Sequence, residues 1–153
     1  EVEVTESALF ENLALAQSII TSLKNQGIRI ALDDFGTGYS SLAHLRVLPF
    51  DRIKIDKSFV VSILDNNESA AIVNAITSLG EKLNLTVTAE GIERREIAER
   101  LAPMGIDKGQ GWHFGQPMSM SDAQNLVAVQ TRTDEAEAHV ALKTVRPKLR
   151  SAA

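Results

Sequence analysis

Short runs of β-type residues alternate with helix-periodic stripes along most of this chain, and that order most limits its fold. Val2 and Val4 bracket Glu3 with the period of a strand. Leu9, Leu13, Ala16, Ile20 and Leu23 then recur every three or four residues, the stripe of one amphipathic helix that Gly27 terminates. Ile28-Arg29-Ile30-Ala31-Leu32 reads as a buried strand running into Asp33. Ser40 to Leu48 is a short helix stopped by Pro49. Arg52 to Asp56 alternates as a strand, and Glu68 to Leu83 carries Ile72, Ile76, Leu79 and Leu83 as a helix. Leu85 to Ala89 is β-rich and runs into Glu90. Ile97, Leu101 and Met104 mark a helix closed by Gly105, and Gly111-Trp112-His113-Phe114 is the last strand candidate. Ser121-Asp122-Ala123-Gln124 has capping-box spacing and opens a final helix.

Strand-helix alternation of this kind builds a parallel sheet, either open and doubly wound or closed into a barrel. Acidic residues at the ends of successive strands favour the barrel, whose working groups sit at the C-terminal rim. A closed eight-stranded barrel takes ~250 residues. About five strands are countable here, so the expected fold is α/β, a partial (β/α)8 TIM-like barrel lacking its N-terminal strands. The chain opens with Glu1, inside a strand, as a piece of a longer protein would. Residues 1–130 are read as the folded part. Residues 131–153 turn to charge and alanine, with Lys143, Arg146, Lys148 and Arg150 around Pro147, and are read as a solvated tail, partly helical at most.

Composition narrows the function classes. The chain has 153 residues, 44% of them apolar, enough for a real core. A net charge of -4 gives no electrostatic reason to bind a nucleic-acid polymer. Without cysteine there is neither a disulfide framework nor a thiolate metal site, which fits a cytoplasmic protein. No apolar run approaches the roughly 18 residues of a membrane span.

Asp33 and Asp34 stand side by side where a strand ends, ahead of a loop that can bend at Gly36 and Gly38. Adjacent carboxylates repel and are costly to hold together without a cation. Glu3, Asp33, Asp34 and Glu90 lie on or at the ends of three strands, and parallel packing brings all four to one rim. An oxygen-only donor set of this kind suits Mg²⁺ or Mn²⁺. Each acid alone also reads as a solvated or capping residue. Lys54, between Ile53 and Ile55, faces either the interior acids or solvent.

Glu3-Val4-Thr5-Glu6, Asp33-Asp34-Phe35-Gly36-Thr37-Gly38-Tyr39-Ser40-Ser41-Leu42, Lys54-Ile55-Asp56-Lys57-Ser58-Phe59, Ala89-Glu90-Gly91-Ile92-Glu93 and Gln110-Gly111-Trp112-His113-Phe114-Gly115-Gln116-Pro117 occur in that order. Together they resemble the later motifs of the EAL-domain cyclic di-GMP phosphodiesterases, from Glu1 to about Val129. The resemblance implies a modified (β/α)8 barrel that hydrolyses cyclic di-GMP to linear pGpG with two Mg²⁺ or Mn²⁺ ions. By the same resemblance, Glu3 is a ligand of the first metal, Asp33 bridges, and Asp34 and Glu90 hold the second. Lys54 orients the attacking water and Gln110 supports it. Glu6 anchors the loop of Gly36, Thr37 and Gly38, Glu93 is a further acidic residue behind the site, and Asp56 lines the substrate cleft. It also implies a homodimer through the EAL domain, and sensor or GGDEF domains fused in the full protein. The family's Glu-Ala-Leu motif and its metal-binding Asn are absent from the chain, which implies that they lie upstream and that the chain alone has little activity.

Rival readings are weaker. Asp34-Phe35-Gly36 matches the kinase metal tripeptide, but no catalytic-loop His-Arg-Asp precedes it. Gly36 and Gly38 lack the third glycine of a dinucleotide loop, since Ser41 stands there. His44, His113 and His139 are scattered, and Trp112 and Phe114 are read as packing residues. The rival from another class is a receptor that binds cyclic di-GMP without cutting it.

Overall fold

The computed structural model describes residues 1–37 and 42–129. The expected tail at 131–153, Gly38, and the start of the helix expected from Ser40 lie outside them. The elements run β1 (Val2–Thr5), α1 (Glu6–Glu11), α2 (Leu13–Asn25), β2 (Ile30–Phe35), α3 (Leu42–Val47), β3 (Arg52–Ile55), α4 (Lys57–Val61), α5 (Asn67–Leu83), β4 (Thr86–Ala89), α6 (Arg95–Leu101) and β5 (Lys108–Gly109). A 3₁₀ turn, Ala102–Met104, extends α6.

All pairings are parallel and the sheet order is β1-β2-β3-β4-β5. A doubly wound sheet reverses its strand order at a switch point. This one never reverses, which is the winding of a barrel segment. The fold is therefore the expected partial TIM-like barrel. Its core is the outer face of the strands against the helices: Ile30, Leu32, Ile53, Ile55 and Val87 pack with Ile20, Val73, Ile76 and Ile97.

Local chemistry sets most element boundaries. The Asn66 side chain caps α5 by accepting from the backbone N–H groups of Glu68 and Ser69, and Asn84 ends it in the left-handed region at φ 55°. Gly80 sits inside α5 because a Cβ there would stand 2.2 Å from Val87 Cγ2. At the entry ends of the strands two aspartates repeat one device. Asp51 Oδ2 accepts from Ile30 N at 2.8 Å, and Asp107 Oδ2 accepts from Val87 N at 2.7 Å. Asp51 also accepts from Lys24 Nζ at 2.5 Å.

The structure corrects the sequence reading in four places. The first helix is two helices, because Asn12, at φ -159° and ψ 90°, caps α2 through its side chain and breaks the stripe. Helix α4 appears where none was expected, started by Asp56, whose carboxylate accepts from Ser58 N at 2.9 Å. The last strand is Lys108–Gly109, and 112–114 form a turn. The aromatic alternation there imitates a strand, but Phe114 N donates back to Gly111 O at 3.0 Å. The final helix, at residues 120–129, is capped two residues earlier than the Ser121 spacing suggests, since Ser119 Oγ accepts from Asp122 N at 3.2 Å. It belongs to a separate compact unit beginning at Pro117.

Candidate active site at the strand ends

Parallel strands in register place corresponding side chains on one face. Lys54 pairs with Thr88 across β3 and β4, and Thr5 with Asp33 across β1 and β2. Strand alternation points Lys54 away from its apolar neighbours Ile53 and Ile55, onto the inner face. There its Nζ lies 2.7 Å from Glu3 Oε2, 3.1 Å from Asp33 Oδ1 and 2.7 Å from Glu90 Oε1. Lys54 is 4% exposed. Burial alone would lower the pKa of this ammonium, but hydrogen bonds to Glu3, Glu90 and Asp33 outweigh it and hold the pKa well above its usual value.

Asp33 and Asp34 are consecutive, so a regular strand would send them to opposite faces. The ladder to β3 shifts register between Leu32 and Phe35, and Asp34 adopts φ 55°. This local break undoes the alternation. One oxygen each of Asp33, Asp34 and Glu90 then lie within 4.8 Å of one another. Aspartate tolerates the left-handed region better than most side chains, which makes Asp34 compatible with the bend. Thr37 Oγ1 donates to Asp34 O at 2.9 Å and Asp34 N donates to Asp33 Oδ1 at 3.0 Å, fixing the turn.

Burial and the neighbouring Asp33 and Asp56 carboxylates push the Asp34 carboxyl up, against the opposing pull of Lys54. Burial also acts to raise Asp56, but hydrogen bonds from the Ser58 hydroxyl and backbone and from Asp34 bring it below the usual carboxylate range. Asp56 is therefore both the cap of α4 and a neighbour of Asp34. Glu6 opens α1, is 2% exposed, and accepts from Gly36 N through Oε2 at 3.4 Å. Gly36 has φ 102°, and a Cβ there would meet Phe59 Cε2 at 3.0 Å, so the loop needs glycine at this point.

The remaining expected residues are less engaged. Glu3 joins the cluster through Lys54 rather than through the Asp33-Asp34-Glu90 trio. Gln110 is held by its backbone, donating to Ala89 O at 2.9 Å and accepting from Ile92 N at 3.0 Å. Glu93 is exposed. Trp112 and Phe114, expected to pack, are 63% and 60% exposed, because β5 has only two residues and little core forms around it. His113 stacks edge-on against Phe114 at 5.0 Å. Sequence reading missed Thr88, whose buried Oγ1 has no hydrogen-bond partner among the described residues beside Lys54. It also missed the ion pair of Arg52 and Glu1, at 2.7 Å. The period-2 spacing of Arg52 and Lys54, like that of Glu1 and Glu3, was the sequence signal for this pair. A cleft of about 510 Å³ lies elsewhere, among Thr77, Glu81, Thr86 and Asp107 at the entry ends of the strands.

Fold and rim together define a barrel-type parallel α/β domain with a carboxylate cluster at the strand C-terminal ends. The EAL domain family model matches residues 1–117, and the chain belongs to that family. It is similar to the cyclic di-GMP phosphodiesterase PdeR of Escherichia coli, with 45% identity over 118 residues, covering 77% of this chain and 18% of PdeR. The PaMucR phosphodiesterase, solved as a c-di-GMP complex, matches with TM-score 0.75 and 40% identity over 79% of this chain and 49% of its own. Klebsiella pneumoniae BlrP1, solved with manganese and cyclic di-GMP, matches with TM-score 0.68 and 35% identity over 72% of this chain and 28% of its own. The chain spans under a fifth of the curated relatives it matches, for example 17% of y4lL of Sinorhizobium fredii and 18% of sll1895 of Synechocystis. No helix among the described residues is long and apolar enough to cross a membrane.

Proposed function

We propose that the domain carrying this chain hydrolyses cyclic di-GMP to linear pGpG at a two-metal centre. The observation that carries the reading is the convergence of Asp33, Asp34 and Glu90 within 4.8 Å, with the Lys54 ammonium against two of them. The donor set fits hard cations. It is all oxygen, and one oxygen each of Asp33, Asp34 and Glu90 converge within 4.8 Å, where added positive charge offsets their repulsion. Two Mg²⁺ or Mn²⁺ ions supply neutralisation of the phosphate and a water of lowered pKa.

The protein's own groups account for the rest. Asp33 would serve both ions, Glu3 would add to the first, and Asp34 and Glu90 would hold the second. Lys54 stays protonated among three carboxylates, so it brings fixed positive charge to the developing negative charge and donates to the attacking water. Gln110 would support that water. Glu6 ties down the loop of Gly36, Thr37 and Gly38, Asp56 lines the substrate cleft, and Glu93 is a further acidic residue behind the site. The reading extends to residues 1–130 as the C-terminal part of the EAL domain with 131–153 as a tail, and to a cytoplasmic homodimer fused to sensor or GGDEF domains.

The test is turnover of cyclic di-GMP by the complete domain in Mg²⁺ or Mn²⁺. Asp33→Asn and Lys54→Ala are each expected to lower pGpG formation by roughly 10²-fold or more. Near-normal pGpG formation in either variant overturns the site. Binding of cyclic di-GMP with no turnover in the unaltered domain points instead to a receptor.

A further inference from the structure

Lys54 rises from mid-strand and occupies the acids that an ion needs. Asp33 and Glu90, each touched by its Nζ, are also two of the three residues whose oxygens converge with Asp34. The Lys54 side chain is 5% exposed, against 19% for Asp33 and for Glu90. Such a buried ammonium persists because carboxylates surround it. A divalent ion on the same carboxylates meets a like charge a few ångströms away, and like charges at that distance repel strongly inside a protein. The same ammonium keeps the carboxylates from repelling one another apart.

We propose that Lys54 is a tethered competitor of the divalent ion: it holds Asp33 and Glu90 in place and weakens ion binding at Asp33, Asp34 and Glu90. This rests on the metal reading of the site given above. The site then fills over a higher range of free ion concentration than its carboxylates alone would set. Arg52 provides an internal comparison. It carries the same charge on the same strand and the same face, yet its partner is Glu1 at 2.7 Å, one layer below the trio.

The experiment is calorimetric titration of the purified domain with Mn²⁺ alone, together with the rise in Tm at saturating Mn²⁺. Lys54→Met is expected to bind Mn²⁺ roughly tenfold or more tightly than the unaltered protein, with a larger rise in Tm. Arg52→Met is expected to change the affinity by less than about threefold, since its charge is further from the trio. Lys54→Gln keeps an N–H donor for the carboxylates and serves if Lys54→Met does not fold, with the same direction expected. Equal or weaker Mn²⁺ binding in a folded Lys54 variant overturns the competitor role while leaving the metal site standing. An equal gain in Arg52→Met reduces the effect to net charge and also overturns it. No Mn²⁺ uptake by any of the proteins overturns the metal reading itself.

Discussion

Glu6 accepts a hydrogen bond from the Gly36 backbone at 3.4 Å, which ties the start of α1 to the loop behind the aspartate pair. Its other oxygen is buried with no hydrogen-bond partner among the described residues. A buried unsatisfied acceptor costs about 1–3 kcal/mol, so removing this carboxylate relieves one cost while losing one contact. Glu6→Ala is therefore expected to lower turnover several-fold through the loop while Tm moves little. Unchanged turnover, or loss of the folded state, counts against the anchor role.

Asp34 combines a proposed ligand role with an unusual backbone, and the two separate by substitution. Asp34→Asn keeps a side chain tolerant of φ 55° and is expected to fold normally while losing Mn²⁺ affinity. Asp34→Val places a β-branched residue in the left-handed region and is expected to cost about 1–2 kcal/mol or more. Urea melts of the two variants decide this. Equal stability would mean that the turn relaxes freely.

Asp51 gives a pH dependence. Burial acts to raise its pKa, but the hydrogen bonds from Lys24 and Ile30 N outweigh it and leave the folded value below the ordinary 3.8. A depressed carboxylate contributes stability that is present above the unfolded pKa and lost as pH falls through the folded one. Stability of the unaltered protein is thus expected to decline below about pH 4. Asp51→Asn is expected to be less stable at neutral pH and to show a shallower acid decline. Parallel curves for the two proteins from pH 6 to pH 3 contradict the assignment.

Gly80 tests packing against propensity. Alanine in a helix interior gains about 1 kcal/mol over glycine. The added methyl, however, lands 2.2 Å from Val87 Cγ2 on β4, and overpacking costs about 1–3 kcal/mol. The second effect wins, so Gly80→Ala is expected to lower Tm. A rise in Tm means that β4 shifts to make room.

Much of the fold was legible along the chain. Periodicity located the helical stripes and the central strands, because burying one face of a helix or strand leaves a repeat that needs no partner to be read. Strand-end acids pointed to a barrel rim in the same way. Boundaries governed by single side chains were less legible. Asn12 splits the first helix and Asp56 starts α4, and the same residue types occur as ordinary surface positions. At Gly111 to Phe114 the alternation was misleading, because strand pairing depends on a neighbouring strand and not on pattern alone.

The sequence by itself determined the alternation of strands and helices, the run of motifs that marks the family, and which acids and which lysine the chain has at its strand ends. Tertiary structure alone decided how they meet. Asp33 and Asp34, placed on opposite faces by strand alternation, converge with Glu90 only through the register shift and the left-handed turn at Asp34. Lys54 faces the acids only because β3 lies between β2 and β4 in a parallel sheet. Attraction and repulsion among these charges depend on distances of a few ångströms, and those distances are set by strand register between segments far apart in sequence.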